Sequence, residues 1–180
     1  MEHKVNVWKA NLKSGIILGM TGVIYSLLIY FCDLTLNPIQ GYAFMVIQIA
    51  LLFYLLKSYR DNYLFGNITY GQSVGAGVII FIYYAIIMSV FMYILYTVID
   101  TGLIDKLLVV AEEKIIQRGI PQSQVDAAMQ IQRKMLTPGF LALTGIFGYM
   151  FQGTIISLIV SIFVKKEGNT LIADNDYQQN

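Results

Sequence analysis

The pattern of charged and uncharged positions divides the chain into long apolar segments around one charged stretch. The two longest uncharged runs are Asn62–Ile99, with 38 residues, and Met135–Val164, with 30 residues. The stretch 100–137 between them carries ten of the chain's 23 formal charges. This pattern predicts a small segment outside a membrane that is held at both ends by membrane spans.

Four segments are long and apolar enough to cross a bilayer. A hydrocarbon core of about 30 Å requires about 20 apolar residues in an α-helix. The predicted spans cover about residues 12–31, 41–56, 71–98 and 138–164. They must be helical, because every backbone polar group in lipid needs a hydrogen-bond partner within the chain. We therefore predict an all-α integral membrane protein with one four-helix transmembrane domain over residues 1–166.

The charged stretch 100–137 has the pattern of two amphipathic helices. From Leu103 to Arg118 the apolar positions form one stripe of a helix with 3.6 residues per turn. Gly119 and Pro121 then indicate a stop, and a second helix is expected to run to about Leu136. We expect an extramembrane helical hairpin between the third and fourth spans, with apolar stripes that pack together or lie on the membrane.

Helix capping residues are also visible in this stretch. Asp100 or Thr101 is predicted to cap the first helix of the hairpin, since both are natural N-cap residues. Ser123 and Asp126 have the spacing of a capping box for the second helix. Thr137, followed by a proline, is predicted to open the fourth span.

Composition agrees with a membrane location. The chain has 180 residues, of which 57% are hydrophobic and only 13% are charged, and its mean hydropathy is +0.63. Too few charges are available to cover the surface of a soluble domain. The net charge of +1 with scattered basic residues predicts no nucleic-acid partner. The first uncharged run, Ser14–Cys32, is too long for a signal peptide and lacks a cleavage site, so it is expected to stay as an anchor.

Basic residues in the short flanks predict the orientation. Three segments expected on one side of the membrane carry seven of them: Lys4, Lys9, Lys13, Lys57, Arg60, Lys165 and Lys166. The short loop Asp33–Gln40 on the other side carries none. Because basic flanks stay inside, both termini are predicted to be cytoplasmic and the hairpin extracytoplasmic. The polar tail 167–180 is expected to be disordered in the cytoplasm.

Small residues recur at helical spacing in three of the spans. The pairs predicted to lie at helix contacts are Gly15 and Gly19, Gly71 and Gly75, and Gly153 and Ser157. Missing side chains let helix backbones approach closely in lipid. The stripes are expected either to pack the four helices together or to form a face for a dimer or another partner.

Apart from Lys13 at the edge of the first, no charged residue falls inside a predicted span, which argues against a pump or a coupled transporter. Gln48 and Gln152 are the polar residues near the middle of their spans. A hydrogen bond between the two amides would satisfy both groups, and contact with a substrate is the alternative.

Catalytic and metal-binding residues are not apparent in the sequence. His3 has no second histidine or cysteine near it, and Cys32 has no histidine or basic residue near it to activate the thiol. Glu112 and Glu113 point in different directions on a helix, so they do not form an acid–base pair. We therefore predict no catalytic site, no cofactor and no metal.

Several short motifs are similar to those of a known family. They are Ile68-Thr69-Tyr70-Gly71-Gln72 followed by Gly75 and Gly77, Val98-Ile99-Asp100, and Thr137-Pro138 before a glycine-containing last span. The chain resembles, over about residues 12–166, an uncharacterised bacterial family of small four-span membrane proteins, classed only as a domain of unknown function. Many members carry proline where this chain has Thr101. The resemblance implies four helices and a bacterial envelope membrane, and it implies no activity and no functional residues.

The function that follows is a non-enzymatic accessory or scaffold protein of the bacterial cytoplasmic (inner) membrane. Its expected partners are the lipid bilayer and either a second copy or another membrane protein. The alternative is a small transporter or channel for a neutral or lipid-like molecule, which would use Gln48, Gln152 and the glycine-lined faces. An enzyme acting on lipid is disfavoured, because no nucleophile–base set is visible.

Overall fold

The computed structural model describes residues 6–167 as six α-helices, with no strand in that range. The helices are α1 (Val7–Phe31), α2 (Ile39–Tyr63), α3 (Tyr70–Ile94), α4 (Leu103–Ile116), α5 (Gln122–Met135) and α6 (Pro138–Val164). A π-helical turn, Leu95–Ile99, continues α3. The predicted all-α class is confirmed. The predicted tail from residue 168 onward, and His3, lie outside the described residues.

Helices α1, α2, α6 and α3 with its π-helical turn are long and apolar enough to cross a membrane, which confirms the four predicted spans. Their outer faces carry large apolar side chains: Phe147, Phe151 and Phe163 on α6 are 67–72% exposed. Such an extensive apolar surface is stable only against lipid or a partner. The chain is therefore a multi-pass membrane protein.

Helix α2 is longer than predicted. The sequence predicts a span that ends at Leu56, but the helix continues to Tyr63 and includes Lys57 and Arg60. Hydropathy shows where the side chains of a helix become polar. The backbone hydrogen bonds of α2 continue past that point. This added part of α2 contacts α6, because the Arg60 guanidinium Nη1 donates to the carbonyl oxygen of Val164 at 3.1 Å.

Helix α3 lies at the centre of the bundle. It is the most buried of the four spans, and it packs mainly against α6 and α1, whereas α2 contacts α6 and α1 less extensively. Gly15 and Gly19 of α1 lie against Tyr83 and Ile87 of α3, so these two helices run parallel. The hydrophobic core follows this seam and includes Leu18, Ile80 and Phe81.

The seam between α3 and α6 runs antiparallel. Gly77 packs against Ser157, and Gly153 packs against Phe81 so closely that an added methyl group would overlap the ring. These contacts place Gly153 and Ser157 where the small-residue pattern predicts helix contacts. Gly71 and Gly75 do not pack within the described part of the chain, because no atom of residues 6–167 lies within 4 Å of a methyl group added at either position. For this pair, the prediction of packing within the bundle is wrong. Gly77, on another face of α3, makes the contact instead.

The helix starts follow their capping chemistry only in part. Thr69 forms a capping box with Gln72 at the start of α3, and Thr137 accepts a hydrogen bond from Phe140 N at the start of α6. The predicted caps of α4 and α5 are wrong. Gly102 and Pro121 occupy those positions and neither helix start has a side-chain cap hydrogen bond. Asp126 instead accepts a hydrogen bond from the Gln122 side chain at 3.0 Å.

Candidate functional site

A buried amide and a partly buried amide meet in the middle of the bundle. Gln152 Nε2 on α6 donates to Gln48 Oε1 on α2 at 3.1 Å, and Gln48 is only 1% exposed. A second polar contact, between Arg60 on α2 and Val164 on α6, lies about three turns further along both helices. Helices α2 and α6 therefore run parallel, with these two polar contacts between them. In an apolar interior each amide satisfies part of the hydrogen-bonding capacity of the other.

Aromatic side chains extend from this amide pair toward the end of the bundle from which α4 and α5 emerge. The Tyr84 hydroxyl approaches Gln48, and its ring packs edge-to-face on Tyr149 with centroids 5.4 Å apart. On the other side, Phe44 stacks on Tyr25 with centroids 4.6 Å apart. These four rings come from α1, α2, α3 and α6, so all four spans contribute an aromatic side chain near the amide pair.

A cavity of about 280 Å³ lies between α3 and α6 beyond Tyr149. The side chains that line it come from the last turns of α3 and the first turns of α6: Ser89, Met92, Tyr96, Leu141, Ala142, Thr144, Gly145 and Tyr149. We call it the α3–α6 cavity. None of these residues is charged, and Tyr96 lies in the π-helical turn that follows α3. Such turns occur frequently at functional sites.

Two of the four hydroxyl groups in the cavity wall already donate a hydrogen bond within the protein. Ser89 Oγ donates to the Ala142 carbonyl, and Thr144 Oγ1 donates to the Phe140 carbonyl at 2.7 Å. The hydroxyls of Tyr96 and Tyr149 have no hydrogen-bond partner among residues 6–167. The cavity therefore presents two free phenol donors to whatever occupies it.

The opposite end of the bundle holds buried hydroxyls of another kind. Ser73, Ser157 and Ser161 are 0% exposed, and their oxygens have no partner within the described part of the chain. By contrast, Thr21, Thr97, Thr144 and Thr154 each donate to the carbonyl four residues earlier. Since Gly77 faces Ser157 on antiparallel helices, Ser73 and Ser161 lie one turn further along the same seam.

Asp100 connects α4 to the bundle. Its carboxylate accepts hydrogen bonds from Lys106 Nζ at 3.0 Å, from Gly102 N at 3.0 Å and from the Tyr30 hydroxyl at 3.5 Å. The Lys106 ammonium lowers the pKa of Asp100 below its ordinary value, and Asp100 in turn raises the pKa of Lys106. The predicted junction residue Asp100 is thus a hydrogen-bond centre and not a helix cap.

Helices α4 and α5 share a small core of Leu108, Val125 and Met129. Four other apolar side chains of these helices stay 47–61% exposed: Val109, Ile116, Ile131 and Met135. We call α4 and α5 together the cap. No other part of residues 6–167 covers these four exposed side chains of the cap.

Metal-ligating side chains do not gather in the described residues. No group of three histidine, cysteine, aspartate or glutamate side chains within 6–167 is arranged to hold a metal ion. Cys32 is free and exposed at the end of α1. Glu112 and Glu113 lie on α4, away from the α3–α6 cavity.

Sequence patterns alone identify Gln48 and Gln152 but not the α3–α6 cavity. Helices α3 and α6 are apolar on nearly every face, so periodicity does not distinguish the cavity wall from the lipid-facing side. A partial signal exists in Tyr149, a phenol more than two turns inside a span, because buried tyrosine hydroxyls usually need a partner.

Comparison with known proteins gives a family and no activity. The model of the family described as "Protein of unknown function (DUF4199)" matches residues 13–166. No curated protein matches the chain, and no solved structure does.

Proposed function

The chain belongs to the DUF4199 family of unknown function, and we propose from the geometry of the chain that it is a non-enzymatic accessory or scaffold protein of the bacterial cytoplasmic membrane. In this proposal the four spans anchor the protein, and the extramembrane cap binds another membrane protein or a second copy of the chain. No catalytic step is assigned to it.

The observation that carries the proposal is the uncovered apolar surface of the cap. Val109 and Ile131 are 54% and 61% exposed although the cap has its own core. The surrounding stretch 100–137 has five acidic and five basic residues. Exposed apolar side chains among balanced charges are typical of a protein-binding surface, and such a surface attracts no strongly charged ligand from a distance.

The orientation belongs to the proposal as well. The basic flanks favour cytoplasmic termini and an extracytoplasmic cap. A reporter that is active only outside the cytoplasm should be active when it is fused at Gln124 and silent when it is fused after Lys166. The reverse pattern would show that the orientation is wrong.

Site-specific crosslinking in cells tests the scaffold role. A photoreactive amino acid at Ile131 should form a discrete protein adduct, identified by mass spectrometry. The matched control is Phe147, an equally exposed apolar position on α6 that should contact lipid. Lipid adducts at both positions would show that the cap lies on the membrane surface and binds no protein there.

A transporter or channel for a neutral or lipid-like molecule is the second candidate. It is favoured by the α3–α6 cavity, whose wall residue Tyr149 contacts Tyr84 next to the Gln48–Gln152 pair. Purified protein in liposomes would be tested for glycerol flux and for movement of a fluorescent phospholipid between leaflets. Transport that Gln48→Leu abolishes would establish this function in place of the scaffold role.

A further inference from the structure

We infer that the α3–α6 cavity binds the glycerol-ester segment of a bilayer lipid, with Tyr96 and Tyr149 as hydrogen-bond donors to its ester carbonyls. The inference concerns the membrane-embedded part of the molecule and does not depend on the proposed role of the cap.

The depth of the cavity fits this ligand. At 1.5 Å per residue the 27 residues of α6 span about 40 Å, longer than a hydrocarbon core of about 30 Å. The wall residues of α6, from Leu141 to Tyr149, lie about 5–17 Å from the start of the helix, so the cavity extends from the boundary between headgroups and acyl chains into the hydrocarbon core. Ester carbonyls of membrane lipids are concentrated at this boundary.

The chemistry of the wall fits it too. Met92, Leu141 and Ala142 supply an apolar surface for the acyl chain, and the wall contains no charged residue. The phosphate of the headgroup therefore has no counter-charge inside and stays outside the cavity. Within the described residues the two phenol hydroxyls are unbonded, whereas Ser89 and Thr144 already donate to carbonyls. Two free donors match a ligand that carries carbonyl acceptors and no donors of its own.

The volume limits how much of a lipid enters. About 280 Å³ is just below the 300–1,000 Å³ typical of small-molecule pockets. It holds one segment of a lipid and leaves the rest in the bilayer. Water alone is an unfavourable occupant, because it would find no hydrogen-bond partners along the apolar part of the wall.

Photolabelling tests the inference with the full chain in liposomes of phosphatidylethanolamine and phosphatidylglycerol. The probe is a phosphatidylethanolamine with a diazirine at the ester end of one acyl chain. Mass spectrometry would compare adducts on the cavity wall with adducts on the lipid-facing residues Phe147 and Phe151. We expect wall adducts to exceed the lipid-facing ones in the wild-type protein.

Two variants and their matched controls make the test specific. Gly145→Leu fills the cavity and should remove the wall adducts. Gly148→Leu adds the same side chain where no atom of residues 6–167 lies within 4 Å, and it should leave the wall adducts in place. Tyr96→Phe combined with Tyr149→Phe keeps both rings and should lower wall labelling at least about fivefold, the effect of one lost hydrogen bond. Tyr93→Phe, outside the cavity, should have no effect.

The outcomes that overturn the inference are clear. Wall labelling that persists unchanged in Gly145→Leu, or adducts spread evenly over wall and lipid-facing residues in every variant, would indicate only the ordinary lipid shell around a membrane protein. Loss of wall labelling in the double phenylalanine variant, with its lipid-facing adducts unchanged, supports the inference and cannot arise from unfolding.

Discussion

Gln152 and Gln48 form a side-chain hydrogen bond of 3.1 Å between α6 and α2 in the interior of the bundle. This contact is notable because α2 packs on the other helices less than α3 does. A polar link in an apolar surrounding is therefore one of the contacts that hold α2 in register.

Replacing Gln48 with leucine is expected to lower the free energy of unfolding by about 1–2 kcal/mol, because the Gln152 amide loses its partner. The double variant with Gln152→Leu should lose less than the sum of the single losses, with a coupling of about 0.6–1 kcal/mol. Equilibrium unfolding in mixed micelles measures these values. Gln48→Leu combined with Gln130→Leu, an exposed position on α5, is the additive control. Additive losses for the 48–152 pair would contradict the contact.

Gly153→Ala is expected to destabilise the bundle by about 1–3 kcal/mol, the usual cost of overpacking. Its methyl group would overlap Phe81, which is 1% exposed and has no space to move into. Gly75→Ala is the matched control, since no atom of the described residues lies within 4 Å of its added methyl group. It should be neutral or stabilising by up to about 1 kcal/mol through helix propensity. Equal losses in both variants, measured by thermal unfolding, would show that the α3–α6 seam is not where the structure places it.

Substitution by alanine is predicted to lower the stability of the bundle at one buried serine and not at another. Ser89→Ala removes a hydrogen bond to Ala142 and should cost about 1 kcal/mol. Ser157→Ala removes an oxygen without a partner in the described residues and should cost nothing or stabilise slightly. Denaturant midpoints compare the two variants. A loss at Ser157 as large as that at Ser89 would mean that an internal water bonds the Ser157 hydroxyl.

The contact of Asp100 with Lys106 is predicted to be pH-dependent. The pKa of Asp100 is lowered in the folded protein, so its contribution is present above the unfolded value of about 3.9 and is lost as pH falls through the folded pKa. The pKa of Lys106 is raised, with a smaller effect of nearby Asp33, so its contribution is lost only as pH rises above about 10.4. The contact should therefore be complete between about pH 4 and pH 10.

Native-state amide exchange of residues 100–106, corrected for the intrinsic pH dependence of exchange, measures this effect. Protection should fall below about pH 4 in the wild-type protein and should not change there in Asp100→Asn, which cannot titrate. Identical acid profiles for the two proteins would show that Asp100 does not secure the cap.

Some local features were predictable from single segments of the chain. Thr137 and Pro138 open α6 as expected, because an N-cap side chain and a proline act on the turn next to them. The caps of α4 and α5 were not predictable in this way. The Asp100 carboxylate accepts from the side chains of Lys106 and Tyr30 and from Gly102 N, and not from the backbone N–H groups of the first turn of α4, and Tyr30 is distant in sequence.

The sequence by itself determined the all-α class, the four spans and the depth of the two glutamines, because each depends on consecutive residues and on the requirement that backbone groups bond within a helix in lipid. Only the tertiary structure decided which faces turn inward. Glycine spacing is the same for Gly71 and Gly75 as for Gly15 and Gly19, yet only the second pair packs. The rotation of a helix about its axis, and its register against a neighbour, are set by the shapes of side chains far apart in the chain. That packing brought Gln48 to Gln152 and left the α3–α6 cavity open.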